Sequence, residues 1–206
     1  MPMTMFVKAL IATAATALLA TAPLVGAAFA LDEGASEKDV LKACEKQLCE
    51  IVAKKDASGA DLACSLTKTW AKKKIQEGIE QKKLSWGFGD ARCAIDVKAK
   101  RAAIVDAMTK PEQAFDFEPH SVKCEVEREK EVTSFSVTLA PKIMFKDGKA
   151  HKVLLNIKNI EAPAVIKSAI WTVAQAEDYF GLFHSQMVSE VNELIGQKCP
   201  KVTAGN

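Results

Sequence analysis

Only three histidines, His120, His151 and His184, and a single tyrosine occur in the 206 residues, so an imidazole-based mechanism has few places to begin. No two of the histidines stand at the i, i+4 spacing that puts a pair of metal ligands on one face of a helix. His120 follows Pro119 at the head of a strand, His151 lies on an odd-numbered position beside Ile143, and His184 belongs to a helical stretch. All three read as strand-end or partly buried side chains. The serines form no G-x-S-x-G turn, and neither a phosphate-binding loop nor a dinucleotide fingerprint is present. Gly87-Phe88-Gly89 precedes a strand, whereas phosphate-cradling glycines follow a strand and open a helix, so it reads as a turn. There is no C-x-x-C pair, which removes the usual thioredoxin-like centre and zinc ribbon. These absences lead to no expected catalytic residue, no metal ligand and no cofactor.

Charge of one sign is also lacking. Lysine and arginine number 28 against 26 acidic residues, and setting aside Lys8 leaves 27 against 26, a net +1 for the rest of the chain. That balance offers no bulk attraction to nucleic acid or to an anionic membrane. Glu125, Glu127, Glu129 and Glu131 line a polar strand face and turn rich in basic residues. Lys72-Lys73-Lys74 and Lys82-Lys83 are interrupted by Glu77 and Glu80. Both groups are expected to be solvated surface.

What the chain does have begins at its N-terminus. Lys8 is followed by 22 uncharged residues, Ala9 to Ala30, closing on Ala28-Phe29-Ala30. This is an n-region, an h-region and a small-x-small cleavage site in order. Pro23, Gly26 and the weakly hydrophobic alanines argue against a retained anchor, and Leu31 is not the cysteine a lipid-modified terminus needs. The expected organisation is therefore a removable leader, residues 1–30, and a single domain, residues 31–206, with no stable membrane anchor after cleavage. The short n-region suits a bacterial signal, which places the product in the periplasm, with secretion as the alternative.

All six cysteines, Cys44, Cys49, Cys64, Cys93, Cys124 and Cys199, follow that site. In an oxidising compartment an even count reads as three disulfides. The first helix is expected over residues 37–55, from a capping-box-like Ser36 and Asp39 and from apolar residues at Val40/Leu41, Cys44, Leu48 and Ile51/Val52. Asp61 is expected to cap a second helix through Leu62, Leu66 and Trp70, making a helical hairpin. In such a hairpin Cys49 faces Cys64. Cys44 and Cys49 are about 140° apart around a helix, so one partner does not serve both.

Beyond a turn at residues 85–90, Cys93, Ile95, Val97 and Ala99 alternate with polar neighbours as a half-buried strand. A short helix over 101–108 and an extended segment at Phe115 and Phe117 follow. Val122, Cys124 and Val126 form the inner face of the next strand. Phe135, Val137 and Leu139 form that of the one after, and a four-residue loop at 129–132 sets Cys124 opposite Val137. At Lys146-Asp147-Gly148, a three-residue loop with Gly148 left-handed pairs Leu139 with Leu155 and Val137 with Ile157, keeping the apolar residues on one face. Pro163 opens a helical region running to Ile195, with a break near 177–181, a C-cap at Gly196 and an end at Cys199-Pro200.

The expected fold is α+β: an N-terminal helical hairpin, a four-stranded antiparallel meander, and a long C-terminal helix or helix pair on one face. The expected disulfides are Cys49 with Cys64, Cys93 with Cys124 and, by elimination, Cys44 with Cys199. Three functions are compatible with this frame. The first is a non-catalytic exported protein that binds a partner protein or inhibits an envelope or extracellular enzyme. The second is a carrier or sensor of an apolar, lipid-like ligand held between the sheet and the C-terminal helix, near Phe180, Phe183 and Met187 with Trp171 and Tyr179. The third is a hydrolase with a dispersed site using His120, His151 or His184.

Overall fold

The computed structural model of the chain describes residues 31–80, 84–180 and 184–204, with side chains described except at 176–180; the expected leader lies outside the described residues. In chain order the elements are α1 (Glu37–Lys54), β1 (Leu62–Trp70), α2 (Lys72–Glu80), β2 (Ala91–Ala99), α3 (Arg101–Thr109), β3 (Glu112–Asp116), β4 (His120–Glu127) and β5 (Val132–Leu139). There follow β6 (Lys142–Lys146), β7 (Lys149–Leu154), β8 (Ile157–Glu161), α4 (Ala164–Phe180), α5 (His184–Glu193), a π-helical turn (Leu194–Lys198) and α6 (Cys199–Ala204). The α+β expectation holds, but the expected four-stranded meander is instead two antiparallel sheets, ordered β1-β2-β4-β5-β8 and β3-β6-β7, because the chain turns a corner after β5 and residues 62–70 add a strand.

The second helix of the expected hairpin is a strand. Leu62, Leu66 and Trp70 recur every four residues, a spacing shared by helix and strand, but Cys64 between them and β-branched Thr67 and Thr69 belong to period two. β1 pairs with β2 along its whole length, from Leu62 opposite Ala99 to Trp70 opposite Ala91. Asp61 does cap a helix, but a different one. Its Oδ1 accepts the Arg101 N–H at the start of α3 at 2.9 Å, and its other oxygen lies 3.2 Å from Lys100 Nζ.

The strands that follow run close to expectation, with informative slips. β4 and β5 pair Val122 with Val137 and Cys124 with Phe135 around a loop at 128–131. This is two residues from the expected register, so every side chain keeps its face. The long hairpin beyond it is bent. At Ala140-Pro141 the chain leaves the first sheet, and Ala140 donates its N–H to Asn156 O while Asn156 Nδ2 donates to Ala140 O. Before the corner β5 pairs with β8, Val137 opposite Ile160 and Leu139 opposite Ile157. After it β6 pairs with β7. The turn is the two-residue Asp147-Gly148, with φ of 49° and 73°, as a type I′ turn requires. The extra residue expected in the loop sits in the strand, at His151, where the β6–β7 register shifts. Buried Ala150 and Val153 then share a face while His151 and Lys152 both point to solvent.

Two of the expected disulfides exchange partners. Cys93 bonds Cys124, its directly opposite residue on the neighbouring strand. Cys44, not Cys49, bonds Cys64, and Cys49 bonds Cys199. Hairpin symmetry had no force once residues 62–70 became a strand beside α1. The side of α1 turned toward β1 carries Cys44, and Cys49, displaced around the helix, meets α6.

The C-terminal region opens after Pro163 as expected, with Lys167 donating its N–H to Pro163 O. Buried Ile166 and half-buried Ile170 of α4 sit against Ala91 and Val126 on one end of the five-stranded sheet. The expected break at 177–181 falls partly on residues outside the description; α4 ends at Phe180 and α5 begins at His184. Gly196 is not a C-cap and Cys199-Pro200 does not end the fold. The helix continues through a π turn in which Cys199 N–H reaches Leu194 O. That wider turn lets Pro200, which has no N–H and whose ring would collide with the carbonyl four residues back, enter at the start of α6.

Candidate functional site: an apolar cavity between the helices and the small sheet

Three helices direct their apolar stripes at one space. α1 contributes Leu41, Cys44, Leu48 and Val52; α3 contributes Ile104, Ala107 and Met108; α5 and the π turn contribute Val191, Leu194 and Ile195. Each set follows the i, i+3, i+4 rule of an amphipathic helix. The small sheet adds Ile143 and Phe145 of β6 and Phe115 of β3, and β1 and β2 add Leu62, Leu66 and Val97. Together they line a partly open cavity of about 720 Å³, within the size range of small-molecule sites.

Backbone bonding holds these walls in place. β7 is an edge strand, and Asn192 of α5 receives the Ala150 N–H on its side-chain oxygen and donates to the Ala150 carbonyl, each at 2.8 Å. That pair of hydrogen bonds holds α5 on the sheet, with Val191 and Leu194 on the cavity lining. The Cys44–Cys64 bridge ties α1 to β1 at the lining itself, and Cys49–Cys199 ties α1 to α6 behind it.

Ala107, Phe115 and Phe145 of the lining are buried, whereas Leu48, Met108, Ile143, Val191, Leu194 and Ile195 are half-buried. Polar groups gather in only a few places on the lining, as Glu45, Glu190, Glu193 and Lys198, with Lys198 Nζ 3.7 Å from Glu193. Leu41 is 46% exposed and Val40 beside it 40%.

The expected site residues lie differently. Met187 does not line the cavity, which sits one to two turns further along, at Val191 to Ile195. Phe183 and the side chains of Tyr179 and Phe180 lie outside the described residues. Trp171 is on α4, 38% exposed. Sequence reasoning reached the α1 stripe and Val191 and Leu194. It missed α3 and the small sheet, whose short elements carry too few apolar repeats to mark a face.

The histidines come to no common site in the described bonding. His120 is buried; its Nε2 accepts the Lys98 N–H at 3.0 Å and its Nδ1 bonds Glu118 O, which uses both ring nitrogens to join β2 to the start of β4. His184 lies 3.5 Å from Val153 O, and His151 is exposed in the bulge. Among the described residues none of the three bonds a carboxylate or hydroxyl, and no group of three His, Cys, Asp or Glu is placed to hold a metal ion. No helix among them is long and apolar enough to cross a membrane.

Compared with known proteins, the chain matches no family model, no curated protein and no solved structure.

Proposed function

We propose that this is an exported carrier or sensor of an apolar, lipid-like ligand, which occupies the space between α1, α3, the small sheet and the C-terminal helices. One observation carries the reading: a partly open cavity of about 720 Å³ lined mainly by aliphatic and aromatic side chains, with Glu45, Glu190, Glu193 and Lys198 among them. A ligand with an apolar body and a small polar end matches that distribution. Placement in the periplasm is supported by the leader-like residues 1–30 and by three disulfides, which persist where thiols are not kept reduced.

Native mass spectrometry of protein purified from its own compartment is expected to show mass in excess of the polypeptide, removable by organic extraction. The extracted protein is expected to bind 1-anilinonaphthalene-8-sulfonate with enhanced fluorescence. Met108→Trp, which puts added volume into the cavity, is expected to reduce that binding by about tenfold without lowering stability. If the wild-type protein binds no probe and M108W is destabilised by the about 1–3 kcal/mol typical of an overpacked core, the cavity is closed packing and the carrier reading fails. A co-purifying protein with no small ligand would favour partner binding, for which Val165, Trp171 and Val173, exposed on α4, offer a surface.

A further inference from the structure

The segment just before α1 is tied across three strands in succession. Leu31 bonds Glu127 of β4, the Asp32 carbonyl accepts Arg92 Nη2 of β2 at 2.5 Å, and Glu33 and Glu37 reach Lys68 and Thr69 of β1. The tie at Leu31 is the shortest backbone-to-carboxylate bond in the described structure, with its N 2.6 Å from Glu127 Oε1, and the Leu31 side chain is 8% exposed. Glu127, expected from sequence to be solvated, is held for this contact. Its Oε2 accepts the Asp90 N–H at 3.0 Å, and its backbone exchanges bonds with Gly89 and Asp90 at 2.9 Å each. A Cβ on Gly89 would lie 2.6 Å from both Glu127 Cβ and Oε2, so the missing side chain at Gly89 is what lets the carboxylate lie there.

A mid-chain amide can bond a held carboxylate, as the Thr69 and Gly34 amides bond Glu37. An α-ammonium in place of the Leu31 amide makes the same bond and adds a full positive charge opposite the carboxylate. The small-x-small sequence Ala28-Phe29-Ala30 ends at the residue before Leu31, so sequence and geometry converge on one peptide bond. We infer that Leu31 is the first residue of the mature chain and that Glu127 is a built-in receptor for its α-ammonium, so that removal of the leader adds an ion pair to the fold. The step is a hydrolysis by an exported endopeptidase that reads small side chains. Water breaks the Ala30–Leu31 C–N bond, its oxygen ends in the Ala30 carboxylate, and the Leu31 nitrogen gains protons to become an ammonium, whose ordinary pKa of about 7.7–8.0 keeps it charged at neutral pH.

The test uses the full precursor, exported and recovered from its compartment. Intact mass and N-terminal sequencing are expected to give a chain starting at Leu31 with three disulfides; a start at any other residue overturns the inference. A precursor with one alanine inserted between Ala30 and Leu31 keeps Ala28 and Ala30 in the cleavage positions and yields a product one residue too long, confirmed by mass. That product and the product of Glu127→Gln are each expected to melt a few degrees lower, about 2–4 °C, and the combination no lower than either alone. Additive losses would mean that Glu127 serves only Asp90, and would sink the idea. Should E127Q fail to accumulate, acetylation of the α-amine at pH 7 decides. It is expected to be about tenfold slower in the wild-type product than in the extended one, as an amine pKa raised by about one unit requires, and equal rates refute the receptor.

Discussion

Glu37 joins the start of α1 to the open edge of β1. Its carboxylate accepts the Thr69 N–H at 2.9 Å, the Thr69 hydroxyl at 2.7 Å and the Gly34 N–H at 3.1 Å, with the residue 7% exposed. Burial by itself pushes the carboxyl up, but the bonds from Thr69 and Gly34, with Lys68 nearby, outweigh it and hold the pKa below its ordinary value of 4.5. A depressed carboxyl pKa stabilises the fold above the unfolded-state value, and that stability is lost as pH falls through the lower folded-state value. Wild type is therefore expected to lose stability below about pH 4.5, whereas Glu37→Gln is expected to start lower by about 1–3 kcal/mol and to lose less over the same acid range. Urea unfolding at pH 7 and pH 3 measures both. None of this was legible in sequence, where Ser36 and Asp39 read as the cap. The structure has no side-chain cap at Ser36; Glu37 instead bonds Gly34 three residues back and Thr69 of β1 32 residues on.

Among the elements, the bent hairpin shows how far local pattern carries. Alternation correctly placed the inner residues of β2, β4 and β5 because each strand presents one apolar face. It misplaced the partners of Val137 and Leu139, expected at Ile157 and Leu155 and found at Ile160 and Ile157, because two strands that bulge and turn a corner cannot be aligned by one running sum. The two adjacent outward residues His151 and Lys152 were the available sign of the bulge, and Asn156, with φ of 48°, was that of the corner. Deleting His151 leaves Phe145 opposite Ala150, Met144 opposite Lys152 and Ile143 opposite Val153, now in regular alternation. The deletion is expected to fold with a loss below about 1 kcal/mol, small beside the usual core lesion. A loss of several kcal/mol in denaturant titration would show that the bulge itself positions β7 under α5. Gly148 is less forgiving. Its φ is 73° and a Cβ would lie 3.4 Å from Met108 O, so Gly148→Ala is expected to cost about 1 kcal/mol or more, read from the same titration.

At the scale of the whole molecule the three bridges are unequal. Cys49 and Cys199 are 150 residues apart and Cys44 and Cys64 only 20, which in the chain-entropy treatment corresponds to about 5 against about 3 kcal/mol. Replacing Cys49 and Cys199 by alanine is expected to lower the denaturant midpoint more than replacing Cys44 and Cys64. Non-reducing peptide mapping is expected to recover Cys49 linked to Cys199, and recovery of Cys49 with Cys64 would overturn the structure of the α1 region. The Cys49–Cys199 bridge joins α1 to the start of α6 next to Leu48 and Lys198 of the cavity lining, so its loss is expected to weaken probe binding together with stability.

By itself the sequence determined the α+β class, the short helix at α3, the inner faces of β2, β4 and β5 and the Cys93–Cys124 bridge. Each of these rests on periodicity or on neighbours a few residues apart. Tertiary structure decided the rest. A four-residue apolar repeat at Leu62, Leu66 and Trp70 satisfies helix and strand alike, and pairing with β2 made it β1. That choice redirected Cys64 to Cys44, left Cys49 to meet Cys199 from the far end of the chain, and opened between α1, α3 and the small sheet a cavity no local pattern describes. Amphipathic periodicity tells a side chain which way is inward; only the packing of distant elements determines whether anything is there to meet it.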